Sequence, residues 1–407
     1  MRRFPLYDPP EYVNWKPVPE VMEEFRGQLE ADAERRKIIG GLDRERLLAM
    51  YRGLLRNRLH DIQLKRWVMQ GIISKAWLGT GEEAVTVGCV HALRSGDVVG
   101  PMIRNAGAYH EMGIPMADLL RAYLGTGDTL LQGRDLHLGD LRHGVVTPIS
   151  MVGSLVPVCA GIALAMQQRG EERVALTWVG DGAARTGEFH EGASFAAARG
   201  LPLILVLQNN QVALGTPFAV HSRVPLTELA RAYGGECLIA AGNNVLDVYA
   251  ATTLLVRTCR QGGGPAFLVT ETGRMGGHAT HDEAEGRRIL PSEHFAAWGR
   301  RDPIGMYESY LEEALAGNGG AKKVRAELEA VEAEVTAEVD SAAALAIESR
   351  DAAPPDPERV SAGVFADALD SAGVLSAPTA VARIGEQGKR ETSRVRRASK
   401  TPGVHPS

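Results

Sequence analysis

Two oxygen-bearing side chains, Asp181 and Asn210, stand 29 positions apart in the stretch RVALTWVGDGAARTGEFHEGASFAAARGLPLILVLQNNQV, residues 173–212. A carboxylate, an amide oxygen and a backbone carbonyl two residues further on, at Val212, are donors that a hard cation such as magnesium takes. Such an ion keeps its remaining places for phosphate oxygens and water. Gly180 and Gly182 carry no side chain, so a diphosphate can approach the backbone there, near the partial positive charge of the helix that follows. Taken singly, Gly-Asp-Gly and Asn-Asn are turns. Their joint spacing around a helix and an apolar strand predicts a site.

The elements that must position these residues are legible on either side of them. Val174 to Val179 is a β-branched and apolar run that stops at Gly180-Asp181-Gly182, a buried strand ending in a tight turn. Glu188 to Ala198 follows with helix formers, Gly200 suits the position past a helix end, and Pro202 cannot continue a helix. Leu203 to Leu207 is a second apolar run. Strand, helix and strand of this length make a right-handed crossover, which brings Asp181 and Asn210 out at one carboxyl edge of a parallel sheet.

This segment resembles the thiamine diphosphate motif, and GDGAARTGEFHEGASFAAARGLPLILVLQNNQ is similar to the alpha subunit of the heterotetrameric 2-oxo acid dehydrogenases. That subunit belongs to the decarboxylating component of the pyruvate and branched-chain complexes. The similarity runs from about Leu47 to Ile304. It implies an α/β thiamine diphosphate-binding fold: a parallel sheet flanked by helices on both faces, with a helical carboxyl-terminal extension. It also implies magnesium on Asp181, Asn210 and the carbonyl of Val212, with Gly180, Gly182 and Ala183 along the cofactor.

Further site residues are carried by the same resemblance. Arg104, in PMIRNAG, matches the arginine that holds the diphosphate, a task suited to a planar, permanently charged guanidinium. The tyrosine usual before it is Ile103 here, and an aromatic residue usual at Val212 is missing, but the ligand there is backbone. The backbone near Val152 meets the aminopyrimidine ring. His137, in RDLHLGDLRHG, and His278, in GGHATHD, match active-site histidines; His278 is expected to handle protons, contact the substrate carboxylate and touch the cofactor. His281 is expected to be structural or to face solvent. Ala279 replaces the serine that is phosphorylated in animal relatives, so that control is expected to be lacking. Glu82 and Glu83, in GTGEEA, read as acids favouring the dipole of a helix from Glu82 to Leu93.

The rest of the chain supports this frame. Asp43 caps a long helix whose Leu47, Tyr51, Leu54, Leu55, Ile62 and Leu64 recur at helical spacing. Asp97 to Gly100, Glu236 to Ile239 and Ala266 to Thr272 are further strands, Leu246 to Arg260 a helix, and Asn243-Asn244 a turn and cap. Residues 273–288 read as a mobile loop. Gly144 to Gln168 has no charge, but Pro148, Gly153, Pro157 and Gly161 break it. It reads as a loop and a small-residue helix packed between subunits rather than a membrane span.

Three regions are expected: an amino-terminal arm, 1–41; the α/β domain with carboxyl-terminal helices, 42–348; and a linker with a basic, disordered tail, 349–407. The arm reads as extended, with a charged helix over Glu20 to Lys37, and as neither a secretory signal nor a transit peptide. A formal net charge of −5 and a pI near 6.2 give no case for nucleic acid as a partner. Four cysteines without zinc spacing, Cys89, Cys159, Cys237 and Cys259, suit the cytoplasm.

The function expected is oxidative decarboxylation of a small 2-oxo acid, pyruvate or a branched-chain one, with acyl transfer to a lipoyl group on a separate transacylase core. Thiamine diphosphate requires a carboxylate against its aminopyrimidine, and one diphosphate-binding domain leaves none to supply it. A beta subunit in an α2β2 heterotetramer is the implied source. The rival readings are an acetoin dehydrogenase alpha subunit and a non-catalytic, cofactor-binding scaffold subunit.

Overall fold

The computed structural model describes residues 1–317 and 320–359. Five strands form one parallel sheet: β1 (Val98–Gly100), β2 (Ala175–Gly180), β3 (Leu203–Asn209), β4 (Glu236–Ala241) and β5 (Ala266–Glu271), in the order β1-β2-β3-β5-β4. Residues on β3 point alternately to two cores, as the two-residue period of a strand requires. Ile204 and Val206 join Val85, Val248 and Leu255 on one face, whereas Leu203, Leu205 and Leu207 join Val156, Phe189 and Ala193 on the other. Both faces are therefore covered, which is why these strands read as unbroken apolar runs.

The helices that matter to the site are α1 (Arg44–Met69), α2 (Glu83–His91), α3 (Leu155–Gln168), α4 (Gly187–Arg199) and α5 (Val245–Arg260). The Asp43 carboxylate caps α1 by accepting from the Arg46 amide at 2.8 Å. Gly200 ends α4 in the left-handed conformation, φ 59°. Asn244 caps α5 through its side-chain oxygen, and its Nδ2 donates to the Phe25 carbonyl and to Gln28. Small residues let α3 and α4 meet closely, since a Cβ on Gly192 would lie 2.7 Å from Val156 Cγ1. Two carboxyl-terminal helices, α6 (Pro303–Ala314) and α7 (Gly320–Ala352), pack Ile304, Tyr307, Leu328, Val331 and Val335 against α1 in a separate helical core.

Several local expectations are corrected. The amino-terminal residues are not extended: they include a turn of helix, Pro10–Val13, and bury Tyr12 completely. The charged helix over Glu20 to Lys37 is two helices, Pro19–Glu30 and Ala33–Gly40, because the Asp32 carboxylate caps the second by accepting from the Arg35 amide. The stretch after Val212 is no bare linker. A two-residue hairpin, Val212–Ala213 with Thr216–Pro217, leads into a short helix, Phe218–His221. The loop around His278 does not stay irregular to Arg288, for Glu283–Ile289 is helical.

Residues 1–355 make one compact unit, and within the second, from residue 356, the described residues hold one 3-10 turn, Pro357–Arg359. The basic tail from Gly388 lies outside the described residues. No described helix is long and apolar enough to cross a membrane.

Candidate active site

Register places the first two site residues. Gly180 on β2 pairs with Gln208 on the adjacent parallel strand β3, so the turns bearing Asp181 and Asn210 leave the same edge side by side. Asp181 is 2% exposed and Asn210 5%. Burial raises the Asp181 carboxyl above its ordinary value, partly offset by the neighbouring Gly182 amide and His221. His221 Nε2 lies 3.2 Å from Asp181 Oδ2. Asn210 Oδ1 accepts from the Val212 amide at 3.2 Å, and its Nδ2 donates to Glu82 Oε1 at 3.1 Å.

Glu82 is the main residue that sequence reasoning undervalued. It precedes α2, and its carboxylate does not serve the helix dipole: it is 1% exposed and turned toward the strand ends. Gln208 Nε2 donates to the same oxygen at 2.6 Å, and Gln208 in turn accepts from Asn105 at 3.2 Å. The other Glu82 oxygen has no hydrogen-bond partner and lies 3.9 Å from Arg104 Nη1. Accepting from Asn210 Nδ2 fixes that amide's orientation, with its oxygen turned toward the Val212 turn. Glu83, the neighbouring acid, faces away and pairs with Arg58 at 2.5 Å. Two successive acids at a helix start were the available signal, and only their burial tells them apart.

A cleft of about 280 Å³ opens beside these strand ends. It is lined by Arg104, His137, Val152, Ala183 and His278, five of the expected residues gathered from four separate stretches of chain. Ile103 and Trp77 also face it. Gly180, Asp181, Gly182, Asn210 and Val212 do not line it; they lie along the strand ends that Ala183 adjoins, with Asp181, Asn210 and Val212 buried. A Cβ on Gly180 would meet nothing within 4 Å, so the chain is open to close approach there. On Gly182 it would lie 2.5 Å from the Ala213 Cβ, so this glycine serves the packing of the hairpin.

The cleft's charge fits an anion. Arg104 donates to the Leu78 carbonyl at 3.0 Å and to His278 Nδ1 at 3.2 Å. Arg274, four residues before His278, is 3% exposed and donates to the carbonyls of Leu214 and Gly276, with no carboxylate partner among the described residues. Burial, with repulsion from Arg104, lowers Arg274 to about 10. Buried charges in proteins are normally paired. The nearby carboxylates Glu82, Asp181 and Asp282 act on these two guanidiniums without a close ion pair, so both N–H arrays remain suited to a diphosphate.

His278 takes its protonation state from this setting. Burial first, then Arg104 and Arg274, lowers it to about 4, so the ring is neutral at pH 7. An arginine can only donate, which makes Nδ1 the acceptor and leaves the proton on Nε2. The ring thus presents one N–H donor. His137 is held differently: its Nδ1 lies 2.7 Å from Asp135 and its Nε2 3.3 Å from Ser150 Oγ. His281 is exposed. Among the described residues no three His, Cys, Asp or Glu side chains gather as a metal site.

A parallel sheet whose carboxyl edge joins a buried acid and amide to a cationic cleft has the architecture of an α/β enzyme that anchors a phosphorylated ligand. Comparison with known proteins names the class. Residues 51–355 match the model of the dehydrogenase E1 component family. The chain is 30% identical over 315 residues to the 2-oxoisovalerate dehydrogenase subunit alpha of Bacillus subtilis, covering 76% of this chain and 95% of that one. It is 30% identical over 339 residues to the alpha subunit of acetoin:2,6-dichlorophenolindophenol oxidoreductase from Cupriavidus necator, covering 80% and 95%. It is also 30% identical over 275 residues to the pyruvate dehydrogenase E1 component subunit alpha of Acholeplasma laidlawii, covering 66% and 76%. The chain belongs to the dehydrogenase E1 component family, as an alpha subunit of the thiamine diphosphate-dependent 2-oxo acid dehydrogenases.

Proposed function

We propose that this alpha subunit holds thiamine diphosphate through Mg2+ on Asp181, Asn210 and the Val212 carbonyl. Arg104 and His278 meet the diphosphate, and the buried Arg274, four residues before His278, adds its charge. The observation that carries the reading is the pairing of Gly180 with Gln208, which sets the two metal side chains at neighbouring strand ends beside the cleft. Gly180, Gly182 and Ala183 bring backbone to the diphosphate, and the exposed segment at Val152 meets the aminopyrimidine.

Bound there, the cofactor supplies the carbanion and the electron sink for decarboxylating a small 2-oxo acid, of the pyruvate or branched-chain type. The protein's residues anchor, orient and control protons. His278, neutral and fixed in one tautomer by Arg104, offers its Nε2–H as a hydrogen-bond donor to the substrate carboxylate or an oxygen near it. His137 faces the same cleft from the opposite loop and serves as the second proton-handling group. A beta subunit supplies the carboxylate that the aminopyrimidine needs, in an α2β2 assembly that passes its acyl group to a lipoyl-bearing transacylase core. Met151, Val152 and Val158, on and before α3, and Phe195 on α4 are exposed apolar residues, which supports a partner surface beside the cleft. The compartment is read as cytoplasmic, on four unpaired cysteines.

Asp181→Ala tests the anchoring. It is expected to abolish magnesium-dependent binding of thiamine diphosphate, because the metal loses its only charged protein ligand. Unchanged affinity by calorimetry would remove the metal site. Turnover of the complex with pyruvate, branched-chain 2-oxo acids and acetoin then selects the substrate.

A further inference from the structure

The region matching the family model begins at residue 51, and the amino-terminal segment lies before it. We infer that residues 4–15 form a strap that holds the His278 loop in its working position, with Tyr12 and Glu11 as positioning residues. The inference deepens the proposed reading of His278, on which its consequence for turnover rests.

The contacts converge from both ends of the loop. Tyr12 is fully buried in a small apolar cluster with Val212, Met275, Leu290 and Phe295, set apart from the main cores. Val212 is the residue whose carbonyl is assigned to the metal. Met275 stands three residues before His278, and its amide donates to the Thr80 carbonyl at 3.1 Å, in the turn just before Glu82. A single ring from the strap therefore packs behind the metal turn and the entry to the histidine loop.

Beyond His278, Glu11 accepts two hydrogen bonds from Arg287, at 2.8 and 2.9 Å. The Arg287 guanidinium also lies 4.5 Å over the Phe295 ring. Lys65 Nζ joins the Tyr7 carbonyl, at 3.0 Å, to Glu283 at 2.9 Å. The strap is fixed at Asp8, beside Arg58, and just before its start by Arg3, which pairs with Asp302 at 2.6 Å. The segment 274–282 has two glycines, exposed His281 and no regular structure before residue 280, while Arg274, Met275 and Ala279 are buried against other parts of the chain. A segment without regular structure of its own takes its order from what is laid against it.

The Tyr12 hydroxyl has no partner, which assigns the contribution to the ring. This gives a sharp set of variants: Tyr12→Ala, Tyr12→Phe, Glu11→Gln, and the exchanged pair Glu11→Arg with Arg287→Glu. Hydrogen exchange is measured on the full chain with its beta subunit, without substrate or cofactor. Tyr12→Ala and Glu11→Gln are expected to lose amide protection over residues 274–290 while β2 and β3 keep theirs. Tyr12→Phe should match the parent, and the exchanged pair should regain most of what Glu11→Gln loses. In turnover, Glu11→Gln should lower kcat more than it raises KM. Unchanged exchange in the loop of Tyr12→Ala would overturn the inference, as would equal acceleration in loop and sheet, which marks a general stability element. Because the exchange readout involves no chemistry, it stands or falls apart from the role assigned to His278.

Discussion

His278 shows how a residue's chemistry is set by its neighbours rather than its type. A histidine in water titrates near 6.5, but burial between two guanidiniums holds this one to about 4. Between about 6.5 and 4 the unfolded chain takes up a proton that the native site refuses, so stability is lost as pH falls through that window. The urea midpoint is expected to drop between pH 7 and pH 5, and to drop less in His278→Asn; equal drops would show that the ring titrates normally. In the assembled enzyme, His278→Ala is expected to leave binding of the cofactor largely intact but to slow lipoyl acylation by about 10²–10⁴-fold, the usual worth of a general acid or base. Single-turnover kinetics beside calorimetry separates those effects.

At the scale of elements, the site depends on turns that only certain residues can make. Gly153 follows Val152 with φ 85°, and a Cβ there would fall on the Thr186 hydroxyl, which caps α4 by accepting from the Phe189 amide. Gly153→Ala thus meets backbone strain and a displaced cap at once. It is expected to cost about 1–3 kcal/mol in urea unfolding and to weaken cofactor affinity by moving Val152; full retention of both would show that the turn adapts. The hairpin after Val212 works similarly, carrying the chain round to His221, whose ring meets Asp181. Nothing in the spacing of His221 announces that contact.

Across the whole molecule, one buried ionic cluster joins parts that are far apart in sequence. Arg58 on α1 is fully buried, 2.5 Å from Glu83 at the start of α2, 3.0 Å from Asp302 before α6 and 3.6 Å from Asp8 in the strap. Arg58→Met would leave Glu83 and Asp8 without their cation in the interior, and Asp302 with Arg3 alone. Removing one partner from such a cluster costs about 3–5 kcal/mol. Thermal unfolding of the variant is expected to fall accordingly, with partial recovery when Glu83 is also replaced by Gln; a loss below about 1 kcal/mol would mean that water already reaches the cluster.

The amino-acid sequence alone determined the crossover unit, because apolar strand runs, Gly200 and Pro202 are local signals that no distant contact overrides. It also determined which edge holds Asp181 and Asn210, since crossovers in parallel sheets have one hand. Tertiary structure decided which side chains meet there. The partners of Asp181, Asn210 and His278 come from residues 221, 82 and 104, and no period or cap links such positions. It also decided that Glu82 turns inward while Glu83 joins Arg58, and that the amino-terminal segment folds onto the histidine loop. Burial and charge balance between remote segments are properties of the packed chain, so they become legible only once it is packed.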